Sequence, residues 1–361
     1  MRVLYLADPA PDYLADQLYV GLCRVLGVEQ VIDFPRKAVY HDPARRLAYL
    51  PQVLGGEFRE EEVASLIQSG QVDLAILSSP RAAIMTEVER LRARVRLPPT
   101  AMVDGEDDAD IRHDLARRYA CALYFKREYR WHEAAGWRGR MDRWRAFRTN
   151  PELFARTHPL PFSVIPGVME PPDDRPRTID LSYVARASHP KRVRAWRLLH
   201  GATDLRCEAS LYAEPTDRQS KLRTGLPRLL VKLKGDPRVT PAEQGHRLSY
   251  AEYQNLLRRS QMALSIRGGG FDTLRYWEIV SAKTLLISEP PDICIPDNFE
   301  HGRHALFCKP DLSDLVTLVR RYASDAAACE AMAEAGYRHL LRFHTCERRA
   351  EYVLDLCRKH V

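Results

Sequence analysis

Short apolar runs alternate with longer amphipathic stretches along most of the chain. Arg2 to Ala7 (RVLYLA) reads as a first strand and Tyr13 to Leu26 as a helix closed by Gly27. Further strands are expected at Gln30 to Phe34, Val72 to Leu77, Thr100 to Asp104 and Cys121 to Phe125, with helical stretches such as Glu60 to Ser69 and Ile84 to Arg96 between them. Strands that alternate with helices imply βαβ units and a parallel sheet. The pattern lapses in the proline-rich stretch Pro159 to Pro176, which reads as an interdomain linker. It resumes with a strand at Ile179 to Ala185, and helices are expected at Leu315 to Tyr322 and Ala326 to Phe343. Thr345 can cap a last helix running to about Lys359. Tyr212 to Arg247 is the least legible region; its basic helical stretch, Gln219 to Lys234, carries no assigned function.

The stretch Met262 to Ser288 stands out. It predicts a buried strand (Met262 to Ile266), a basic glycine turn (Arg267 to Gly270), a helix capped by Asp272 and a second strand (Thr284 to Ser288). Gly268, Gly269 and Gly270 let backbone approach a ligand, and the amides and dipole of a helix N-terminus favour an anion. Arg267 and Arg275 add charge on either side, and Glu278 can accept hydrogen bonds from two ribose hydroxyls. The turn is neither a GxGxxG nor a Walker sequence, so its glycines alone also fit tight packing.

These residues resemble the donor-binding motif of GT-B glycosyltransferases, in particular the CgeB-like, spore-maturation-type group and the family 1-like C-terminal domain. The likeness lies in the helix Arg275-Tyr276-Trp277-Glu278-Ile279-Val280-Ser281-Ala282-Lys283, in Phe299 to Leu306, in Gly336 to Thr345 with Arg348 and Arg349, and in the helix Ser249 to Arg259 before the strand. The loop after Ile179 to Ala185 supplies Arg186, His189, Lys191 and Arg192, similar to the group's diphosphate-contacting loop, with Ala185 in place of its glycine. Two departures are visible. Gly270 stands where many retaining members carry a second glutamate, and Lys283 stands where the helix usually ends in glycine, which demands an awkward C-cap.

The resemblance implies an α/β GT-B fold: a Rossmann-like acceptor-side domain over residues 1–165, a nucleotide-sugar-binding domain over 178–343, and a closing helix, 344–361, that crosses back to the first. It implies a hexosyltransferase-type enzyme, moving sugar from a nucleotide diphosphate-sugar donor to an unidentified acceptor, with no metal and no cofactor. Arg186, Lys191, Arg192, Arg267, Gly268, Gly269, Gly270, Thr273, Arg275 and Glu278 would form the donor site. Cations there stabilise charge that grows on the departing diphosphate. A non-catalytic nucleotide-sugar or polyanion binder of the same fold is the alternative.

Composition adjusts this picture modestly. The 361 residues suit two domains, and 45% hydrophobic content can fill two cores. No signal-peptide core or run of eighteen apolar residues is present, so a cytoplasmic protein is expected. Eight cysteines without a CxxC pair read as reduced core residues. His301 and His304 form an HxxH pair without a further ligand at metal spacing, and a net charge of +7 suits polyanions or an anionic surface.

Two charged stretches remain. Asp104-Gly105-Glu106-Asp107-Asp108 follows a strand, where parallel sheets place ligand loops. Its carboxylates read as the acidic start of a helix over Ala109 to Tyr119, as a general base (Asp104 or Asp108, with like charges raising one pKa), or as metal ligands. Lys126 to Arg148 holds eight Lys and Arg against three acids, with Trp131, Trp137 and Trp144 between them. It reads as a solvated basic face beside a packed aromatic stripe, or as a peripheral membrane-surface contact. Interspersed acids and Gly136 and Gly139 argue against nucleic acid.

Overall fold

The structure, a computed structural model, describes all residues except 46, 54, 131–136, 138–139, 142–143, 145–147, 169–175, 213–244 and 361. The stretch Gln219 to Lys234 and Trp131 therefore lie outside the described residues. The chain divides into two compact units: Met1–Met169 with Asp292–Asn298 and Leu341–Val361, and Glu170–Pro291 with Phe299–Leu340.

The first unit is a six-stranded sheet. Its strands are β1 (Val3–Leu6), β2 (Val31–Phe34), β3 (Leu74–Leu77), β4 (Thr100–Asp104), β5 (Cys121–Lys126) and β6 (Thr157–Pro159), in the order β2-β1-β3-β4-β5-β6. Every pairing is parallel. Strands covered on both faces need apolar residues at successive positions, and β1 and β3 are buried at every residue. The helix Tyr13–Leu26 begins where Asp12 accepts from the Ala15 amide and ends at Gly27, whose φ of +94° favours glycine.

The second unit has five strands: β7 (Ile179–Arg186), β8 (Cys207–Tyr212), β9 (Ser260–Ser265), β10 (Leu285–Ser288) and β11 (Leu306–Phe307), in the order β11-β10-β9-β7-β8. These too are parallel throughout. Leu181, Tyr183, Leu264, Ile266 and Ile287 join Val193, Leu199 and Leu315 from the helices in one core. In each sheet the order reverses beside one strand, between β1 and β3 and between β7 and β9. Loops diverge there, which opens a crevice at the carboxyl edge.

The helix Cys346–His360 lies in the first unit, against Tyr13–Leu26. Their approach is close enough that a Cβ on Gly21 would stand 2.1 Å from the Cys346 carbonyl oxygen. The residues before this helix anchor it within the unit. His344 Nε2 lies 2.8 Å from the Asp297 carbonyl. Arg349 donates to the carbonyls of Pro161 and Phe162 and lies 2.9 Å from His344 Nδ1. Thr345 accepts from the Arg348 amide.

Local detail departs from expectation in several places. The helix expected over Ala109 to Tyr119 spans only His113–Arg118. Asp108 accepts from the Asp110 amide and the Tyr124 hydroxyl accepts from that of Arg112, so side chains take backbone donors that an earlier helix start would use. The acids at 104–108 thus precede the helix and do not form its first turn. The reading of the tryptophans as a packed stripe fails for Trp137 and Trp144, which are 71% and 51% exposed.

Candidate functional site

At the crevice between β7 and β9, Arg192 ties the two loops together. Its Nε donates to the carbonyls of Ile266 and Arg267, and its Nη1 to the Arg186 carbonyl and Ser188 Oγ. The guanidinium is buried, and burial, reinforced by Arg275, depresses its pKa to about 10. Expected among the donor-site residues, Arg192 is occupied with three backbone carbonyls and the Ser188 hydroxyl. It also accounts for Gly268, because a Cβ there would stand 2.9 Å from Arg192 Nη2. None of the three glycines has a left-handed φ. The turn closes by a bond from the Gly268 amide to the Gly270 carbonyl and by Arg267 Nη2 donating to the Gly269 carbonyl.

Lys191 and Arg267 meet at Glu289, which the sequence reading did not single out. This buried carboxylate, directly after β10, pairs with Lys191 Nζ and accepts from the Arg267 amide at 3.0 Å. His189 caps the helix Pro190–His200 by accepting from the Lys191 amide. Its pKa falls to about 4, first through burial and then through Arg267, Lys191 and Arg192.

The helix that follows the glycine turn spans Leu274–Ser281. Its N-cap is Thr273 and not the expected Asp272, whose Oδ1 instead accepts from Trp277 Nε1 at 2.8 Å. The Thr273 hydroxyl bonds Ser265 Oγ and makes no capping bond. Lys283 does adopt the awkward conformation expected at the C-terminus, with φ +50°. Its amide bonds the Val280 carbonyl and that of Thr284 bonds the Ile279 carbonyl, a Schellman ending built on lysine.

Glu278 lies on this helix with 9% exposure. Among the described residues its carboxylate makes no hydrogen bond and no ion pair, since Lys283 pairs with Glu334 instead. Burial, partly offset by Arg275, raises its pKa to about 7. Two neighbouring groups are also unsatisfied: the Tyr253 hydroxyl and Arg275 Nε are buried without a hydrogen-bond partner. Glu278 acts on Tyr253, and Arg275 on both Tyr253 and Arg192, which joins this cluster electrostatically to the cationic crevice. Buried polar atoms without hydrogen bonds are costly, and these two beside the Glu278 carboxylate mark a place where a polar ligand can supply the missing bonds.

The structure thus gathers Arg186, Lys191, Arg192, Arg267 and Gly268 in one crevice, next to the helix bearing Thr273, Arg275 and Glu278. Asp104 and Asp108 lie in the other unit. Asp104 is fully buried, accepts from the Tyr124 hydroxyl and pairs with Lys126 at 2.9 Å. Asp108 pairs with Arg112 at 2.7 Å and with Lys126 at 3.4 Å. Burial raises its pKa, but Lys126 and Arg112 outweigh that and leave it lowered, opposite to the rise expected from like charges. Glu106 meets Arg81 and Asp107 meets Arg127, so each carboxylate of the loop has its own cation. Among the described residues no group of three or more His, Cys, Asp or Glu could hold a metal ion. His304 of the HxxH pair is buried against the His339 ring.

A second cluster, missed in the sequence, sits where the order of the first sheet reverses. Arg81, after β3, reaches Asp12 at 3.1 Å, Asp8 at 3.6 Å and Glu106 at 2.9 Å. Asp8 Oδ2 is buried without a hydrogen bond, and burial raises the pKa of Asp12 despite its capping bond and Arg81. The acidic turn Asp8-Pro9-Ala10-Pro11-Asp12 at the end of β1 was the available signal.

Residues 218–355 match a family model described as "Glycosyl transferase-like". No curated protein matches the chain in sequence. Among solved structures it is similar to a glycosyltransferase from Rickettsia africae, at TM-score 0.62 and 9% identity over 99% of this chain and 98% of that one. It is similar to HepE of Anabaena in complex with UDP and glucose, at TM-score 0.59 and 10% identity over 99% of both chains. A sucrose-phosphate synthase from Thermosynechococcus elongatus superposes at TM-score 0.58 and 13% identity, again over 99% of both. The chain has the GT-B fold of two Rossmann-like domains, shared with these structures, and most of its second unit matches a glycosyltransferase-like family model.

Proposed function

We propose that the protein is a glycosyltransferase that takes a sugar, of the hexose class, from a nucleoside diphosphate donor bound at the β7 and β9 crevice. The observation that carries this reading is Glu278, a buried carboxylate with no hydrogen bond or ion pair among the described residues, beside two buried polar atoms that lack hydrogen bonds. A ribose presents two adjacent hydroxyl donors, which suits the two oxygens of one carboxylate. The diphosphate falls to Lys191, Arg186, Arg267 and the amides after Thr273. It competes with Glu289 for the Lys191 ammonium and the Arg267 amide, so a doubly charged diphosphate has the advantage over a single carboxylate. As the glycosidic bond breaks, charge grows on the diphosphate, and cations held in place stabilise that state more than the intact donor. The reaction as read here draws its positive charge from side chains and needs no metal. The complexes of HepE with UDP and with UDP-glucose support this donor class, and the CgeB-like group remains the sequence likeness that best fits the helix around Glu278.

In the first unit we assign proton acceptance from the acceptor hydroxyl to Asp12 in preference to Asp104 or Asp108. Its carboxyl is raised by burial even with Arg81 3.1 Å away, whereas Asp104 is held by Lys126 and the Asp108 carboxyl is lowered by Lys126 and Arg112. That engagement also favours a second reading, a donor-binding protein without turnover. A thermal-shift series of nucleoside diphosphates and nucleotide sugars tests the site, because binding to the folded state alone raises the melting temperature. Absence of a shift with every member of the series refutes the donor assignment. Slow release of free sugar from the stabilising donor separates an enzyme from a binder.

A further inference from the structure

Glu289 holds the groups that a bound anion would use. It follows β10 directly and is 2% exposed. One carboxylate oxygen accepts from the Arg267 amide at 3.0 Å, at the start of the glycine turn, and the other pairs with the Lys191 ammonium. A backbone amide at such a turn and a lysine ammonium are both phosphate ligands. Burying a carboxylate is costly even when it is paired, and an apolar residue here would avoid that cost. Lys191 does not depend on the pair for its own solvation, since its side chain is 30% exposed.

Strand order says what lies on either side of this carboxylate. The sheet runs β10-β9-β7-β8, and the glycine turn leaves β9. The groups around Glu278 lie to the β7 and β8 side: Arg275 interacts with Tyr253, with Tyr183 of β7, with Glu278 and with Tyr212 at the end of β8. Glu289 lies to the other side, at the end of β10. A nucleoside diphosphate-sugar carries ribose, diphosphate and sugar in a row. With its ribose on Glu278 and its diphosphate at the turn, the sugar extends towards β10. The doubly charged diphosphate takes Lys191 and the Arg267 amide, and the displaced carboxylate stays close because β10 fixes its backbone, with the Cys308 amide bonded to the Ser288 carbonyl. A carboxylate only accepts, so it then suits a neighbour rich in hydroxyl donors and repels one that brings a carboxylate of its own.

We propose that Glu289 selects the transferred sugar: it fills the anion position while the site is empty, yields it to the diphosphate, and then accepts from the hydroxyls of an uncharged hexose while excluding uronic acids. The inference rests on the assignment of the donor to this crevice and adds the class of sugar. The test is calorimetric titration of the full chain and of its Glu289→Gln variant with UDP, UDP-glucose and UDP-glucuronate. Glutamine keeps an acceptor for the Arg267 amide but no longer competes as an anion, so the variant should bind UDP more tightly. The wild type should prefer UDP-glucose to UDP-glucuronate by at least about tenfold, and the variant should narrow that preference by at least about fivefold. A purely structural Glu289 moves the melting temperature and leaves this ratio alone. Wild-type affinities for the two sugar nucleotides within about twofold of each other overturn the inference whether or not the variant folds. So does a folded variant that binds UDP more weakly, or one that shifts all three ligands by the same factor. Failure of UDP itself to bind the wild type refutes the donor assignment and the inference together, whereas tight UDP binding without discrimination between the sugars refutes the inference alone.

Discussion

Replacing Glu278 by Gln should make the protein more stable and a poorer binder at the same time. The folded chain holds this carboxyl at a pKa of about 7, against an ordinary 4.5, because burial outweighs the nearby Arg275. Between those values the folded state binds the proton and the unfolded state has lost it. Stability contributed by this group is therefore present below about pH 4.5, falls as pH rises towards about 7, and is flat above. The difference of 7 minus 4.5, at about 1.4 kcal/mol per pH unit, puts the cost of the bare carboxylate at pH 8 at about 3 kcal/mol. Gln removes the charge but leaves a buried amide that is itself unsatisfied, at a cost of about 1–3 kcal/mol. The net gain at pH 8 is then about 1 kcal/mol, a rise of about 1 °C in Tm for a chain of this size. At pH 5 the wild-type carboxyl is neutral too and the gain disappears.

Affinity should move the other way. Two hydrogen bonds from ribose hydroxyls to a buried carboxylate contribute about 1.5–3 kcal/mol each. Losing the charge and half the acceptor capacity should weaken UDP binding by about one to two orders of magnitude. Pyrophosphate has no ribose and should bind both proteins alike. Because only the charged carboxylate accepts from both hydroxyls, wild-type affinity for UDP should climb through neutral pH by more than that of the variant, which controls for titration of the phosphates. Calorimetric titration with UDP and pyrophosphate, paired with melting curves at pH 5 and pH 8, gives all of these quantities. Equal affinity of the two proteins for UDP, or a variant that melts lower at pH 8, would falsify the assignment of Glu278 to a ribose.

Other expectations follow from the same contacts. Asp104→Asn leaves the buried Lys126 ammonium with only Asp108, at 3.4 Å, so it should cost about 3 kcal/mol in denaturant unfolding. Asp108→Asn, which removes a half-exposed partner, should cost less than about 1 kcal/mol, and a reversal of that order would show that the loop is read wrongly. Asp12→Asn keeps an N-cap as good as aspartate, so the melting temperature should hardly move while transfer falls by about two orders of magnitude or more. Full turnover in this variant removes Asp12 from the mechanism. Lys283 has φ +50°, so Lys283→Val should cost about 1–2 kcal/mol in thermal unfolding, while Lys283→Gly stays within about 0.5 kcal/mol of the wild type.

The parallel sheets were legible because strands buried on both faces must be written as continuous apolar runs. Thr100–Asp104 and the helix Tyr13–Leu26 coincide with the residues expected of them. Gly27 and Asp12 show why: a left-handed turn and an N-cap select residue types locally, and local selection leaves a mark in sequence. Boundaries slipped where a distant group intervened. Asp272 looked like the cap of the donor-site helix, yet the indole of Trp277 takes its oxygen, and the helix begins at Thr273 without a side-chain cap.

The same distinction governs the sites. Arg192 and Lys191 are neighbours in a basic loop and look interchangeable in sequence, but one is buried on four backbone and hydroxyl acceptors while the other reaches Glu289, 98 positions away. The acidic loop misled for a related reason. A run of carboxylates suggests mutual repulsion and a raised pKa only if nothing else is near, and here Lys126, Arg127, Arg81 and Arg112 arrive from other segments to neutralise it. What a spacing pattern cannot reveal is which charge is left over once the chain has folded. In the first unit the conspicuous acids are matched, and the raised carboxyl is the inconspicuous Asp12. In the second Arg192 and Lys191 have found carbonyls and Glu289, while Glu278, near Arg275 but without a hydrogen bond or ion pair among the described residues, keeps a carboxylate that a ligand's hydroxyls can satisfy. An ion pair completed within the protein stabilises the fold; a charge left incomplete destabilises it, and that deficit is what gives a ligand something to gain by binding.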